Sequence, residues 1–154
     1  MSMESFRKYV ALLKQRQGIK RKVFLGGTYG ESNWRQEIID GLTIDYFNPI
    51  VDDWDEKAQK EEIKQRNTCD FVLYVITPEM KGVYSIAEVA DDSNKRPEKT
   101  VFCFLETEGD LSFNEAQIKS LNSVGKMIEE NGAKWCKNLD EVVTFLNEGN
   151  PNVI

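Results

Sequence analysis

The chain has 154 residues, 40% hydrophobic and 30% charged, with a formal net charge of -6. That is the size of one ordinary soluble domain, long enough to bury a full core, and it lacks the basic footprint of a duplex nucleic-acid binder, its one basic run being Lys20-Arg21-Lys22. The count of His is zero, which excludes His-based triads, His general bases and nearly all catalytic zinc sites. Three cysteines, Cys69, Cys103 and Cys136, are odd in number and widely spaced, which fits a reducing cytoplasm and neither a disulfide framework nor a zinc site. Residues 1–17 alternate charged and apolar side chains in helical fashion, unlike a signal peptide, so the expected location is cytoplasmic with no membrane association.

In chain order, residues 1–18 carry a preliminary helix, whose amphipathic part (6–15) places Phe6, Val10 and Leu13 near helical spacing and ends at Gly18. Residues 23–26 read as the first strand, 34–39 as its helix, and 43–47 as the second strand, stopped by Asn48-Pro49. A charged helix follows over 55–68. Residues 71–76 form a continuous apolar and β-branched run ended by Thr77-Pro78, the mark of a strand buried on both faces. A helix containing Glu88 comes next, with Val83, Ile86, Ala87 and Ala90 as the stripe expected to face the sheet and Glu88 pointing away from it. The fourth strand is 100–105, a long helix covers 114–130, and a short strand (133–136) and a last helix (139–146) close the chain. Such alternation predicts a single doubly wound, flavodoxin-like α/β domain over 1–154, with a parallel five-stranded sheet ordered 2-1-3-4-5 and helices on both faces.

In open sheets of this kind, ligands bind beyond the carboxyl ends of the strands. After the first strand come Gly26, Gly27 and Thr28, where backbone can approach a ligand closely or simply turn into the helix. The spacing fits neither a P-loop nor a dinucleotide fingerprint. After the second strand, Asn48, Asp52, Asp53 and Trp54 gather an amide, two carboxylates and an indole. Trp54 is a candidate to stack on a base and Asp52 or Asp53 to hydrogen-bond a sugar, while Asp53 or Asp55 is expected to cap the next helix. After the third strand, Gly82 precedes Tyr84, Ser85 and Glu88, which sets a carboxylate one turn into a helix.

Taken together, 23–28, Trp34-Arg35, 46–49, 52–54, Cys69-Asp70 and 82–88 resemble the nucleoside 2-deoxyribosyltransferase family, in particular its small deoxyribosyltransferase-like branch, over roughly 22–105. The resemblance implies that Glu88 attacks the anomeric carbon and holds the sugar covalently. It matches Asp70 to the aspartate opening the third strand, and Glu62, or its neighbour Glu61, to an acidic residue that helps bind the base. Two positions depart from the well-studied branch. Phe24 stands where members carry a tyrosine that positions the nucleophile, and Gly82 where they carry an aspartate; Asp52 or Asp53 is the candidate replacement for that acid. The implied catalytic set is Glu88, Asp53 and Asp70, and the implied substrate-binding set adds Phe24, Gly26, Gly27, Thr28, Asn48, Asp52, Trp54, Glu62, Gly82, Tyr84 and Ser85. No metal or organic cofactor is required for this chemistry. Family members close their pockets with a neighbouring subunit, so a homo-oligomer is expected, with Phe113, Ile118 and Leu121 as candidate contacts.

The expected function is therefore cleavage of a nucleoside or nucleotide N-glycosidic bond through a glutamyl intermediate, as a transferase or a derived hydrolase. The alternative is a non-catalytic nucleotide-binding or sensing module with the same pocket.

Overall fold

The structure, a computed structural model, describes residues 2–16 and 20–149; the expected helix stop at Gly18 lies outside them. The elements are α1 (Met3–Arg16), β1 (Lys22–Gly27), α2 (Trp34–Gly41), β2 (Asp45–Phe47), α3 (Glu56–Thr68), β3 (Phe71–Ile76) and α4 (Tyr84–Lys95). After a single 3-10 turn, Pro97–Lys99, come β4 (Thr100–Phe104), β5 (Thr107–Glu108), β6 (Leu111–Ser112), α5 (Glu115–Glu130), β7 (Lys134–Cys136) and α6 (Leu139–Glu148). The main sheet is parallel throughout in the order β2-β1-β3-β4-β7. This is the expected doubly wound arrangement. Its fifth strand is β7 because a small antiparallel hairpin, β5–β6, precedes α5. Two-residue strands carry too little alternation to be legible in a sequence. Ser32 Oγ donates to Glu108 Oε2 at 2.9 Å, tying this hairpin to the loop after β1.

β3 anchors the core because both of its faces are covered. Phe71, Leu73 and Val75 join Val23, Leu25, Trp34, Ile38, Val142 and Leu146 on one side, beneath α2 and α6. Val72, Tyr74 and Ile76 join Phe24, Val89, Phe102, Leu121 and Ile128 on the other, beneath α4 and α5. Fully burying an aliphatic or Phe side chain stabilises by about 1.5–3 kcal/mol, so this one strand commits the chain to a covered sheet. Phe113 and Leu121 are buried and Ile118 packs against them, so the expected oligomer contacts belong to this chain's own core.

Two helices differ from expectation in ways that shape the site. On α4 the buried residues are Val89, Asp92 and Ser93, while Val83 and Ala87 are exposed. The stripe is rotated because Asp92, a buried carboxylate, takes a core position that apolar spacing alone assigns to its neighbours. α3 buries none of its 13 described residues. It is held by local polar contacts, including the Asp55 cap accepting from Ala58 N at 2.8 Å, and by cations at its carboxyl end. Lys99 Nζ donates to the carbonyls of Asn67 and Cys69 at 3.0 and 2.8 Å, where a positive charge favours the helix dipole. Among the described residues, no helix is long and apolar enough to cross a membrane.

Candidate active site

The turn leaving β1 is built rigidly. Gly27 has φ +116, and a Cβ there would lie 2.2 Å from the Val75 carbonyl oxygen, so only glycine lets β1 and β3 approach this closely. Thr28 N donates to Val75 O at 2.8 Å, and Thr28 Oγ1 accepts from Thr77 N at 2.9 Å. Arg35 reaches back from α2 and gathers the turn's carbonyls, donating to Leu25 O at 3.0 Å, Thr28 O at 2.6 Å and Gly27 O at 3.4 Å. Its guanidinium lies 4.3 Å from the Trp34 ring centroid and 4.7 Å from that of Tyr29. Burial lowers the Arg35 pKa to about 10. Trp34 Nε1 also donates to Thr28 O at 3.0 Å, so the turn's carbonyls are consumed by Arg35 and Trp34, and Thr28 is fixed at the floor of a cleft.

That cleft is a cavity of about 710 Å³ beyond the carboxyl ends of β1 and β3, bounded by α3 and α4. Gly27, Thr28 and Tyr29 line it from the first turn, Trp54 from the loop after β2, and Glu62 and Arg66 from α3. Gly82, Tyr84, Ser85 and Glu88 close it from α4 and the loop before it. Its rim is apolar and open, with Trp54 59% and Tyr84 73% exposed. Trp54 Nε1 donates to Glu62 Oε2 at 3.1 Å, orienting the indole beside a carboxylate. A flat ring next to an acceptor is a natural seat for a heterocyclic base.

Glu88 is not the solvent-facing side chain expected from helical spacing. Its side chain is 14% exposed, and Oε2 lies 3.4 Å from Arg66 Nη1. Burial raises the Glu88 pKa above its ordinary 4.5, Arg66 opposes this, and Glu62 and Asp92 add to the rise. Behind Glu88, Asp92 is 0% exposed, accepts from Arg66 Nε and Nη2, both at 3.1 Å, and from the Tyr74 hydroxyl at 2.6 Å, and forms an ion pair with Arg96, whose Nε lies 2.9 Å from Oδ1. Burial, and then the Asp92 charge, push the Tyr74 phenol far up. Tyr29 is raised to about 12, by burial and then by Glu62 and Glu88, with Arg35 opposing. Arg66, Asp92, Tyr74, Tyr29 and Arg35 complete the site, and none was singled out for it by its own residue pattern.

Several expected site residues lie elsewhere. Asp70 precedes β3, so it sits at the opposite end of the sheet, roughly 20 Å from the strand's carboxyl end at about 3.3 Å per residue. There Asp70 Oδ2 accepts from Lys22 N at 2.8 Å, and Asp70 N donates to Lys22 O at 2.9 Å, a clamp that starts β1 and β3 in register. It lines a separate small cavity under α1 with Arg7, Glu98 and Lys99, and it is not placed to act on a substrate held by Glu88. Asp52 and Asp53 are exposed and outside the cleft lining, as is Asn48, whose Oδ1 accepts from Ile50 N at 3.1 Å to shape the turn. Asp55 is the cap of α3. Phe24 is buried, stacked on Phe47 at 5.8 Å. Gly26 serves packing, since a Cβ there would lie 2.8 Å from the Tyr74 ring. Among the described residues, no cluster of three or more His, Cys, Asp or Glu is placed to hold a metal ion.

A parallel doubly wound sheet with two half-buried carboxylates, Glu62 and Glu88, in a cleft at its carboxyl edge has its cleft where sheets of this class bind small molecules. The family described as nucleoside 2-deoxyribosyltransferase like matches residues 20–107, more than half of the chain and every lining residue of the cleft, and the chain belongs to this family. No individual curated protein matches the chain.

The position of Trp54 gives a direct test of occupancy. Adding a nucleoside should change the protein's fluorescence, and Trp54→Phe should remove most of that change, because Trp54 lines the cleft and is exposed, whereas Trp34, in α2, and Trp135, in the edge strand β7, are buried and outside the cleft lining. A Trp54→Phe protein that keeps the full signal would place the base away from this indole.

Proposed function

We propose that the protein cleaves the N-glycosidic bond of a 2-deoxynucleoside or its nucleotide by a retaining double displacement, with Glu88 as nucleophile and Glu62 as the second acid. The observation that carries this reading is the half-buried Glu88 in a base-sized cleft beside Glu62 and Trp54. In the first step a Glu88 carboxylate oxygen bonds to C1', the C1'–N bond breaks, and its electron pair leaves on the base nitrogen, which takes a proton from Glu62. In the second step another base, or water, attacks C1' and frees Glu88, returning a proton to Glu62. Base attack makes a transferase and water attack a hydrolase. The carboxylate face offsets charge on the oxocarbenium-like sugar in both steps. Glu62 takes the role that Asp52 and Asp53 are too remote to fill.

The experiment is incubation with a panel of 2-deoxynucleosides and their 5'-monophosphates, with and without a second free base, followed by chromatography of the bases. Release of the first base supports the reading, and incorporation of the second selects transfer. Binding without release across the panel would favour a sensing module.

The rim also bears on assembly. Ile50, Val51, Trp54, Ile63 and Tyr84 line the cleft and are exposed, and a second copy covering them would exclude water from a glycosyl intermediate. Light scattering at micromolar protein should therefore give a multiple of the 17.7 kDa chain mass. A monomer mass would rule out this closure.

A further inference from the structure

We propose that Arg66 is a positioning residue for Glu88, held in place by a buried Asp92 that Tyr74 and Arg96 clamp from the other side; the proposal rests on the glycosidic reading above. The geometry is specific. Arg66 spends its fork on Asp92, with Nε and Nη2 each 3.1 Å from a different carboxylate oxygen, which leaves Nη1 directed at Glu88 Oε2, 3.4 Å away. A bidentate hold of this kind fixes the guanidinium plane, which a single contact would leave free to rotate. Asp92 in turn cannot follow Arg66 outward, because it is fully buried and also bound to Arg96 and to the Tyr74 hydroxyl. Tyr74 sits on β3 opposite Gly26, whose missing side chain gives the ring its space. The chain of contacts therefore runs from the central strand through α4 to α3 and ends on the nucleophile.

Its consequence is chemical. Glu88 attacks only when ionised, yet it lies in surroundings that favour its neutral form. Glu62 from α3, and Asp92 from its own helix, oppose the charge, and the phenols of Tyr74 and Tyr29 face it from β3 and the first turn. Asp91 also reaches Arg66, 3.9 Å from Nη2, and Lys81 lines the same cleft. Among the described residues Arg66 is the cation paired with this carboxylate, so it is the group that favours the charged form of Glu88.

The test compares Arg66→Met, Arg66→Gln and Arg66→Lys. In protein labelled with 13C at the glutamate carboxyl, the Glu88 signal is assigned by its loss in Glu88→Gln and titrated without substrate. Both neutral variants should move the Glu88 midpoint upward by about one pH unit or more, the size expected when an opposite charge at this range is removed. Arg66→Lys, which keeps the charge but has no fork to hold Asp92 and Glu88 together, should fall between the neutral variants and wild type. The acidic limb of the pH profile for base release should move with it, with kcat falling more than KM rises and activity recovering at higher pH. An unchanged midpoint in a folded Met or Gln variant would overturn the proposal, as would unfolding of both neutral variants, which would assign Arg66 to the fold alone. Because the titration needs no turnover, a wild-type protein that releases no base would refute the glycosidic reading while the midpoint shift still reports on Arg66.

Discussion

Glu88→Gln should lower base release by about a thousandfold or more and leave the protein folded, the loss expected when the group that forms a covalent intermediate is replaced by a near-isosteric amide. The stability side has a definite sign. The Glu88 carboxyl titrates above its ordinary value in the folded protein, chiefly through burial. A raised folded pKa contributes stability below the unfolded pKa and loses that contribution as pH rises through the folded one. At neutral pH the charged carboxylate therefore weighs against folding, and the glutamine variant does not carry that cost. Arg66 keeps its two bonds to Asp92 when Glu88 is neutralised. The variant should melt at or above the wild-type temperature at pH 7, with the difference shrinking toward pH 4. Base release within a few fold of wild type would remove Glu88 from the chemistry, and a large drop in melting temperature would make it a structural residue.

Gly27→Ala should destabilise by about 3 kcal/mol or more, from strain in a left-handed conformation and overpacking at a close approach, each of which costs on the order of 1–3 kcal/mol. The added Cβ would sit 2.2 Å from Val75 O and 2.6 Å from Val75 N, and these are backbone atoms of the central strand that no rotamer change can move. The damage would also reach the cleft, because Thr28 hangs from the same Val75 carbonyl. Gly82→Ala is the matched control. It lines the cleft too, but nothing lies within 4 Å of its added Cβ, so its effect on stability should stay within about 0.5 kcal/mol. Urea denaturation of both variants measures the contrast. Equal midpoints would mean that β1 and β3 do not pack as closely as their register indicates.

The parallel sheet was legible because its central strands announce themselves. Residues 71–76 and 100–104 are nearly unbroken apolar runs, and the polar breaks after them fall where ligand-binding loops must be. Glu88 was legible by position, one turn into the helix after the third strand. Asp70 was misplaced for a reason that chain direction alone could have corrected: a residue opening a parallel strand lies at the edge opposite to one following it. Arg66 and Asp92 were hidden for a different reason. α3 is polar on every face, so no stripe in its sequence says which side meets the protein, and Asp92 follows Glu88 by one helical turn in what reads as a solvated face. Only the fold, which brings Arg66 of α3 within reach of Glu88 and Asp92 of α4, joins these charges into one network. Tyr74 was hidden inside an apolar run, where its hydroxyl has no visible partner until Asp92 is brought beneath it.

The proposed mechanism requires a covalent bond between Glu88 and the sugar. Protein mixed with a 2-deoxynucleoside accepted in the panel, quenched in acid during turnover and digested, should yield the peptide containing Glu88 with one deoxyribosyl group attached, and fragmentation should place that group on the Glu88 carboxyl. The adduct should disappear when a second base is added and should be absent from Glu88→Gln. Steady base release with no adduct at Glu88 at any quench time, or an adduct on another residue, would contradict the account.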